Sequence, residues 1–357
     1  MSALQPNTET AASSGTAVSV RGLTVSYDGQ RPAVRAVDDV TFDIASGETF
    51  AVIGESGSGK STLLRAIAGL VSPSGGTVDT QADAARPADQ GSRPGRTQIV
   101  FQDPDLALNP RQPVWKSIAE PLVPRKLRIP AGLRDRALEL LSQVGLSAEV
   151  GDRKPHELSG GQRQRVTIAR AMAAGTSLVL LDEPVSAQDV SLQASILRLL
   201  TTFQRDRGLT YVIVSHDVSA VGRLANRVGV MYAAKLVEVG PTEEVLTRPR
   251  HPYTRALIAS VPTISAEPGS AARPAIQGEP PDLRNPPSGC RFRTRCAFAI
   301  ERCAVEEPGL GETALHTGDH QVACHRWQEI PEIPPARPRQ SAGDHAIPQS
   351  KTGREPC

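Results

Sequence analysis

The stretch GESGSGKS, residues 54–61, constrains the fold of this 357-residue chain more than any other feature. It matches the phosphate-binding pattern G-x-x-x-x-G-K-[ST], and we call it the phosphate loop. An apolar run, TFAVI, leads into it, and a segment with helical spacing, STLLRAIAGL, follows it. Glycines let successive backbone N–H groups close around phosphates, and the next helix adds its positive N-terminal dipole. The pattern therefore predicts a nucleotide site between a buried strand and a helix.

The remaining apolar runs extend this prediction to a whole domain. SLVLLDEP (177–184) and TYVIVSHD (210–217) are continuous apolar runs, the form that parallel strands take when helices cover both sheet faces. Amphipathic patterns predict helices over residues 132–146 and 160–175. Strands and helices alternate to about residue 245, which predicts an α/β fold of the P-loop NTPase class with a largely parallel sheet.

The chain divides into four predicted regions. We expect a disordered N-terminal tail over residues 1–16, an ATPase domain over 17–245, a C-terminal extension over 246–330 and a disordered tail over 331–357. Within the ATPase domain, residues 79–96 predict a long surface loop because they are rich in Pro, Gly and charge. A Pro-rich linker separates the ATPase domain from a small cysteine-containing module.

Composition excludes several other classes. A net charge of +2 gives no basic field for nucleic acid, so we expect no nucleic-acid partner. No apolar run approaches the roughly 20 residues that a membrane helix needs. The N-terminus lacks the basic region and apolar core of a signal peptide. These features predict a cytoplasmic chain.

A second acidic motif complements the phosphate loop. Asp182 and Glu183 end the apolar run LVLL, so they are predicted to lie at the edge of the sheet beside the loop. We expect Ser61 and Asp182 to hold Mg²⁺, Lys60 to reach the outer phosphates and Glu183 to polarise the attacking water.

The segment HELSGGQRQR, residues 156–165, resembles the signature sequence of ABC-type ATPases. Ser159 is suited to cap a helix that begins near Gly160. The resemblance implies the ABC fold: a parallel-sheet core with antiparallel β and helical subdomains, the helical one at about residues 103–174. It also implies that the signature faces ATP held by a second subunit, so that hydrolysis requires a dimer.

Further residues match landmarks of that family in the expected order. The resemblance implies that Tyr27 stacks on adenine, that Gln102 lies near Mg²⁺ and the attacking water, that His216 contacts the γ-phosphate and that Asp189 belongs to the D-loop. Gln188 stands where the family usually has leucine, and Ala234 where it usually has glycine. The residues that we assign to ATP and Mg²⁺ are Tyr27, Gly54, Glu55, Ser56, Gly57, Ser58, Gly59, Lys60, Ser61, Thr62, Gln102, Ser159, Gly160, Gly161, Gln162, Asp182 and Asp189, with Glu183, His216 and Gln102 as the catalytic set.

Four segments narrow the resemblance to the peptide-importer (oligopeptide/dipeptide) branch. They are FQDPDLALNP, QDVSLQASILRLL, HPYTRALIASVP and the cysteine pattern beginning GCRFRTRC. The branch implies an ATPase subunit at the cytoplasmic membrane face that works with a second ATPase, two permease subunits and an extracytoplasmic solute-binding protein. A heterodimer of ATPases is favoured over a homodimer. Nickel or another small solute is an alternative cargo, and a non-transport ABC ATPase or a metal-sensing protein is a more distant alternative.

Cysteine is confined to the C-terminal part of the chain. Cys290, Cys296, Cys303 and Cys324 lie close in sequence, and Cys357 is the last residue. Clustered cysteines in a cytoplasmic chain favour metal over disulfides, but the C-x2-C pairs of zinc sites are absent. CAFAIERC predicts a helix, which places Cys296 and Cys303 about 10 Å apart. That separation exceeds the roughly 7 Å between Cα atoms that a disulfide spans.

Three alternatives therefore remain for the state of these cysteines. A [4Fe–4S] cluster takes four thiolates and spans more space than one ion, and the resemblance implies such a cluster in some members, so we favour it. Zinc is less favoured, and free thiols or disulfides are the third alternative. Four nearby arginines either offset the charge of a cluster or form a solvated face: Arg291, Arg293, Arg295 and Arg302. Three histidines are weaker alternative ligands: His316, His320 and His325.

Overall fold

The computed structural model describes residues 15–27, 33–80, 97–123, 132–185, 190–260, 276, 278–311 and 320–331. Most of both predicted tails, of the 79–96 loop and of the linker lies outside these residues. The same holds for Gln188, Asp189, His316 and Cys357.

Ten strands form two sheets in the described part of the chain. Three of them make an antiparallel sheet of order β2-β1-β4, and the other seven make a mixed sheet of order β10-β9-β8-β3-β7-β6-β5. The strands are β1 (Thr16–Tyr27), β2 (Val34–Ala45), β3 (Thr49–Ile53), β4 (Gly75–Thr80), β5 (Thr97–Val100), β6 (Leu178–Asp182), β7 (Thr210–Ser215), β8 (Arg227–Tyr232), β9 (Lys235–Pro241) and β10 (Gln321–Val322).

The five strands from β8 to β5 run parallel, as the sequence predicts, and β9 and β10 add antiparallel edge strands. The described α-helices are α1 (Lys60–Ile67), α2 (Pro104–Ala107), α3 (Val114–Ala119), α4 (Leu133–Gln143), α5 (Gly160–Ala173), α6 (Val190–Arg207), α7 (Val218–Leu224), α8 (Thr242–Thr247), α9 (Pro252–Ala259) and α10 (Arg302–Val305).

The side chains of β3 explain why this strand is apolar at every position. Ala51 and Ile53 belong to the core that contains the helical segments, whereas Phe50 and Val52 belong to the core shared with the antiparallel sheet. Side chains alternate along a strand, so a strand covered on both faces must be apolar throughout. This burial fixes the end of β3, where the phosphate loop begins.

The predicted helix over CAFAIERC is wrong. A short 3₁₀ turn covers Arg293–Arg295, Cys296 has extended backbone angles (φ −92°, ψ 118°), and α10 begins only at Arg302. The chain turns because the N–H of Cys290 donates to the carbonyl oxygen of Cys303 at 2.8 Å, which folds the segment back on itself. The cysteines are therefore not spread along a helix.

The extension packs on the ATPase domain and shares its main sheet. β10 pairs with β9 and so lies at the edge of the seven-stranded sheet. The Nε2 atom of buried His320 lies 2.7 Å from a carboxylate oxygen of buried Glu238. The side chain of His320 is therefore paired with a residue of β9 and not with the cysteines. Arg255 of α9 donates to the backbone carbonyl oxygens of Ile330 and Pro331.

Candidate nucleotide site

The phosphate loop wraps around the ammonium group of Lys60. The Nζ atom donates to the carbonyl oxygens of Gly54 (2.9 Å) and Glu55 (2.7 Å) and lies 3.4 Å from the Ser58 hydroxyl. Burial lowers the pKa of Lys60, while the Glu183, Asp182 and Glu55 carboxylates oppose that shift. The loop thus presents a cation that is poorly solvated and has carbonyl partners which phosphate oxygens can replace.

Two oxygen donors for Mg²⁺ lie together beside this cation. The Ser61 hydroxyl donates to the Asp182 carboxylate at 3.1 Å, although 121 residues separate them in sequence. Burial raises the pKa of Asp182, and the hydrogen bond from Ser61 acts in the opposite direction. A hydroxyl and a buried carboxylate are the hard oxygen ligands that Mg²⁺ takes beside nucleotide phosphates. The residues present therefore fit the ion.

Glu183 contacts the other two predicted catalytic residues. Its Oε2 atom accepts from Gln102 Nε2 at 2.9 Å and lies 3.2 Å from His216 Nδ1. The backbone of Glu183 has φ +47°, a strained conformation, and its N–H donates to the carbonyl oxygen of Val214 on the neighbouring strand. This arrangement holds a carboxylate at the sheet edge, next to an amide and an imidazole.

The other predicted nucleotide contacts lie around this centre or outside the described residues. Tyr27 is 42% exposed, with its hydroxyl 3.5 Å from that of Thr62, so its ring is accessible for stacking. The structure says nothing of Asp189.

The signature segment is an exposed, capped helix start. The N–H of Gln162 donates to the Ser159 hydroxyl (3.3 Å), and the N–H of Ser159 donates to the Gln162 side chain (3.0 Å). This reciprocal pair is a capping box, as predicted for Ser159. Ser159 and Gly160 are exposed, so the helix N-terminus is open to an anion supplied from outside the chain.

Two contacts join the extension to the phosphate loop, and neither was predicted from the sequence. The N–H of Glu55 donates to the Tyr253 hydroxyl at 2.8 Å, and the Glu55 carboxylate pairs with Arg295 at 2.8 Å. Tyr253 lies in HPYTRALIASVP, a segment that indicated a family resemblance but gave no sign of a contact with the phosphate loop. The pairing of Arg295 joins residues 240 positions apart and has no local sequence signal.

The four cysteines line one enclosed cavity with His325 and Phe292. Every pair of the four thiols is close enough to interact electrostatically. Burial raises the pKa of Cys290, Cys296 and Cys324 to about 11 in each case, which favours the neutral thiols at neutral pH. Among the described residues no group of three or more His, Cys, Asp or Glu side chains is arranged to hold a single metal ion.

A phosphate loop, an Asp182–Glu183 pair at the end of a buried strand and a capped signature helix define an ABC-type ATPase, which binds ATP with Mg²⁺. Comparison with family models agrees: residues 37–186 match the model described as ABC transporter. Residues 237–303 match the model described as Oligopeptide/dipeptide transporter, C-terminal region. The chain belongs to the family of ABC transporter ATP-binding proteins that carry this C-terminal region.

Individual relatives support the same assignment over most of the chain. It is 43% identical to the "Probable peptide ABC transporter ATP-binding protein y4tS" of Sinorhizobium fredii, over 82% of this chain and 83% of that protein. It is 42% identical to the "Putative oligopeptide transport ATP-binding protein YkfD" of Bacillus subtilis, over 87% of this chain and 95% of that protein. A dimeric ATP-binding cassette, MJ0796 bound to ADP and Pi, superimposes with a TM-score of 0.56 at 30% identity, over 63% of this chain and 98% of that one.

Proposed function

We propose that this chain is the ATP-hydrolysing subunit of an ABC importer for peptides. The observation that carries the proposal is the convergence of Gln102 and His216 on one carboxylate oxygen of Glu183, beside the phosphate loop. Support for peptides as cargo comes from the C-terminal region, which matches the oligopeptide/dipeptide model, and from relatives whose names refer to peptide transport.

Different residues of this chain have different roles in ATP hydrolysis. Lys60 and the phosphate-loop N–H groups bind the phosphates, Ser61 and Asp182 hold Mg²⁺, and Glu183 accepts a proton from the attacking water. His216 contacts the γ-phosphate, and Gln102 with the segment just after it transmits the ATP-driven closure of the two ATPase subunits to the membrane partners.

The proposed partners come from the family resemblance. It implies that the open N-terminus of α5 faces ATP bound by a second ATPase subunit, and we favour a related but different chain over a second copy. None of the helices in the described ranges is long and apolar enough to cross a membrane. From the similarity to peptide importers, we propose two permease subunits as the membrane partners, at the cytoplasmic face, and an extracytoplasmic solute-binding protein.

Transport by the purified complex tests this function. We expect the chain to co-purify from detergent-solubilised membranes with permease subunits and a second ATPase. In liposomes that contain the solute-binding protein, short peptides should stimulate ATP hydrolysis several-fold and should accumulate. Stimulation by Ni²⁺ in place of peptides would assign the alternative cargo, and recovery with ribosomes or DNA would contradict a transport role.

We further propose that Cys290, Cys296, Cys303 and Cys324 bind a [4Fe–4S] cluster. Four thiols around one cavity form the donor set that such a cluster takes. Their buried thiolates would be costly without a metal, and metal binding displaces the protons that burial otherwise retains. The cavity is small, about 20 Å³, so the thiol side chains must rotate outward to admit the cluster. When bound, the cluster would supply a rigid crosslink with redox capability.

Metal analysis of the full chain tests this proposal. Protein purified without oxygen should be brown, absorb at about 400 nm and contain about four iron atoms per chain. Cys296→Ser should lose most of the iron and the colour, whereas Arg302→Ala, a change in the same segment at an exposed residue paired with Glu306, should keep both. Stoichiometric zinc without colour would overturn the cluster assignment.

A further inference from the structure

The side chain of Glu55, the second residue of the phosphate loop, is held by the C-terminal extension. Arg295 contacts this carboxylate with both terminal guanidinium nitrogens: Nη1 lies 2.8 Å from Oε2 and Nη2 lies 3.1 Å from Oε1. The Arg295 side chain is only 6% exposed and that of Glu55 22% exposed. A bidentate pair with this little exposure has defined geometry and is weakly screened by salt, in contrast to a surface ion pair.

Aromatic packing fixes the position from which Arg295 acts. Phe292 is buried, and its ring centre lies 5.2 Å from that of Tyr232 and 5.5 Å from that of Tyr253. The Tyr232 hydroxyl lies 3.4 Å from Arg295 Nη1, and the Tyr253 hydroxyl accepts from the N–H of Glu55. The same aromatic group therefore supports the arginine and contacts the loop backbone directly.

A second arginine of the same segment contacts the turn between β8 and β9, which lies beside the loop. Arg291 pairs with Asp38 and donates to the carbonyl oxygen of Ala233. The next N–H, that of Ala234, donates to the carbonyl oxygen of Ser58 inside the phosphate loop at 2.9 Å. The extension thus contacts the loop directly at Glu55 and only indirectly at Ser58, through the Ala233–Ala234 turn of the ATPase domain.

We propose that Arg295 is a positioning residue for ATP binding, acting on the phosphate loop through the Glu55 carboxylate. The proposal rests on the ATPase function proposed above. Glu55 also accepts from Lys60 through its backbone carbonyl oxygen, so its carboxylate lies near the cation that the phosphates need. Paired with Arg295, this carboxylate has its charge balanced by the guanidinium. Unpaired, it competes with ATP for Lys60 and repels the phosphates.

The expected effect is on ATP binding more than on the chemical step. We expect Arg295→Ala to raise the KM for ATP about tenfold, with kcat changed by less than about twofold, because the catalytic group at Glu183 is untouched. KM and kcat are measured from phosphate release by the full chain in its complex, with the melting temperature and iron content recorded for each variant. Arg302→Ala is the matched control, since its pair with Glu306 stays within the extension, and its KM should be unchanged.

A double-mutant cycle separates positioning from a general loss of structure. Glu55→Gln removes the charge that Arg295 neutralises, so adding it to Arg295→Ala should return the KM to within about threefold of wild type. Exchange of the pair, Glu55→Arg with Arg295→Glu, should also recover more ATP affinity than either single change.

The outcomes distinguish this inference from the function on which it rests. If the wild-type complex hydrolyses no ATP, the proposed function fails, and the inference is then decided by equilibrium ATP binding, which Arg295→Ala should weaken about tenfold and without which it is overturned. If wild type is active and Arg295→Ala keeps its KM, the inference is overturned. It is equally overturned if Glu55→Gln gives no rescue and the melting temperature of Arg295→Ala falls in parallel with its activity, because Arg295 then has only a structural role.

Discussion

Replacing Glu183 with Gln will stop ATP turnover while ATP binding persists. The carboxylate oxygen that accepts from Gln102 at 2.9 Å and lies 3.2 Å from His216 becomes an amide, which cannot take a proton from water. The loss of a general base costs roughly 10²- to 10⁴-fold in rate. The phosphate loop, Ser61 and Asp182 are unchanged, so we expect ATP affinity within about threefold of wild type and an ATP-bound dimer that no longer dissociates.

Phosphate release, equilibrium ATP binding and size-exclusion chromatography with and without ATP measure these effects. Glu149→Gln is the matched control, because Glu149 is exposed and lies in a 3₁₀ segment, Ala148–Asp152, away from the sheet edge. It should hydrolyse ATP at the wild-type rate. Hydrolysis by Glu183→Gln at a rate near that of wild type would mean that another group is the base.

Replacing Gly59 with Ala will destroy the phosphate loop. Gly59 has φ +108°, and a Cβ atom there would lie 2.0 Å from the carbonyl oxygen of Ala36 and 2.7 Å from the terminal methyl of Met231. Backbone atoms cannot yield by the distance required without moving the loop from its place between β2 and β8. Strain of about 3 kcal/mol or more predicts a loss of ATP affinity above about a hundredfold.

Gly57→Ala separates this clash from the cost of backbone conformation alone. Gly57 also has a left-handed backbone, with φ +77°, but a Cβ atom there would meet nothing within 4 Å. We expect a loss of about 1 to 2 kcal/mol in stability and a modest change in ATP affinity. ATP titration and thermal melting compare the two variants. Equal effects would show that the close approach of Ala36 and Met231 is unimportant.

The nucleotide site could be predicted from sequence because its signals are local. The glycines of residues 54–61 and the Ser159 cap depend on neighbours within a few positions, and the apolar strands require burial wherever they lie. Parallel strands then bring Ser61 to Asp182 without any pairwise signal, since the carboxyl ends of such strands share one edge of the sheet.

The C-terminal extension could not be predicted in the same way. The spacing in CAFAIERC suggests a helix, but the backbone bond between Cys290 and Cys303 overrides that local preference. Arg291 and Arg295 were interpreted as charge beside the cysteines or as a solvated face. Both are instead partnered by carboxylates of the ATPase domain, Asp38 and Glu55, more than 200 positions earlier. Contacts of that range leave no trace in composition or periodicity.

The turn that contains Ala234 shows how a departure from the family pattern is tolerated. Ala233 and Ala234 form the turn between β8 and β9 with φ values of +45° and +72°, where glycine would be less strained. Hydrogen bonds from both sides hold this turn: Asp38 N–H donates to the Ala234 carbonyl oxygen, and Ala234 N–H donates to that of Ser58. The surrounding contacts offset the strain that glycine would avoid.

The two-residue strand β10 joins the C-terminal extension to the edge of the main sheet of the ATPase domain. An unpaired β9 would leave a row of backbone donors and acceptors at the sheet margin, ready to recruit a strand from another molecule. Gln321 and Val322 occupy that margin, and the carbonyl oxygens of Ile330 and Pro331 tie the following segment to Arg255. The end of the extension therefore covers part of the β9 edge, and its removal would expose backbone donors and acceptors that the main sheet now pairs.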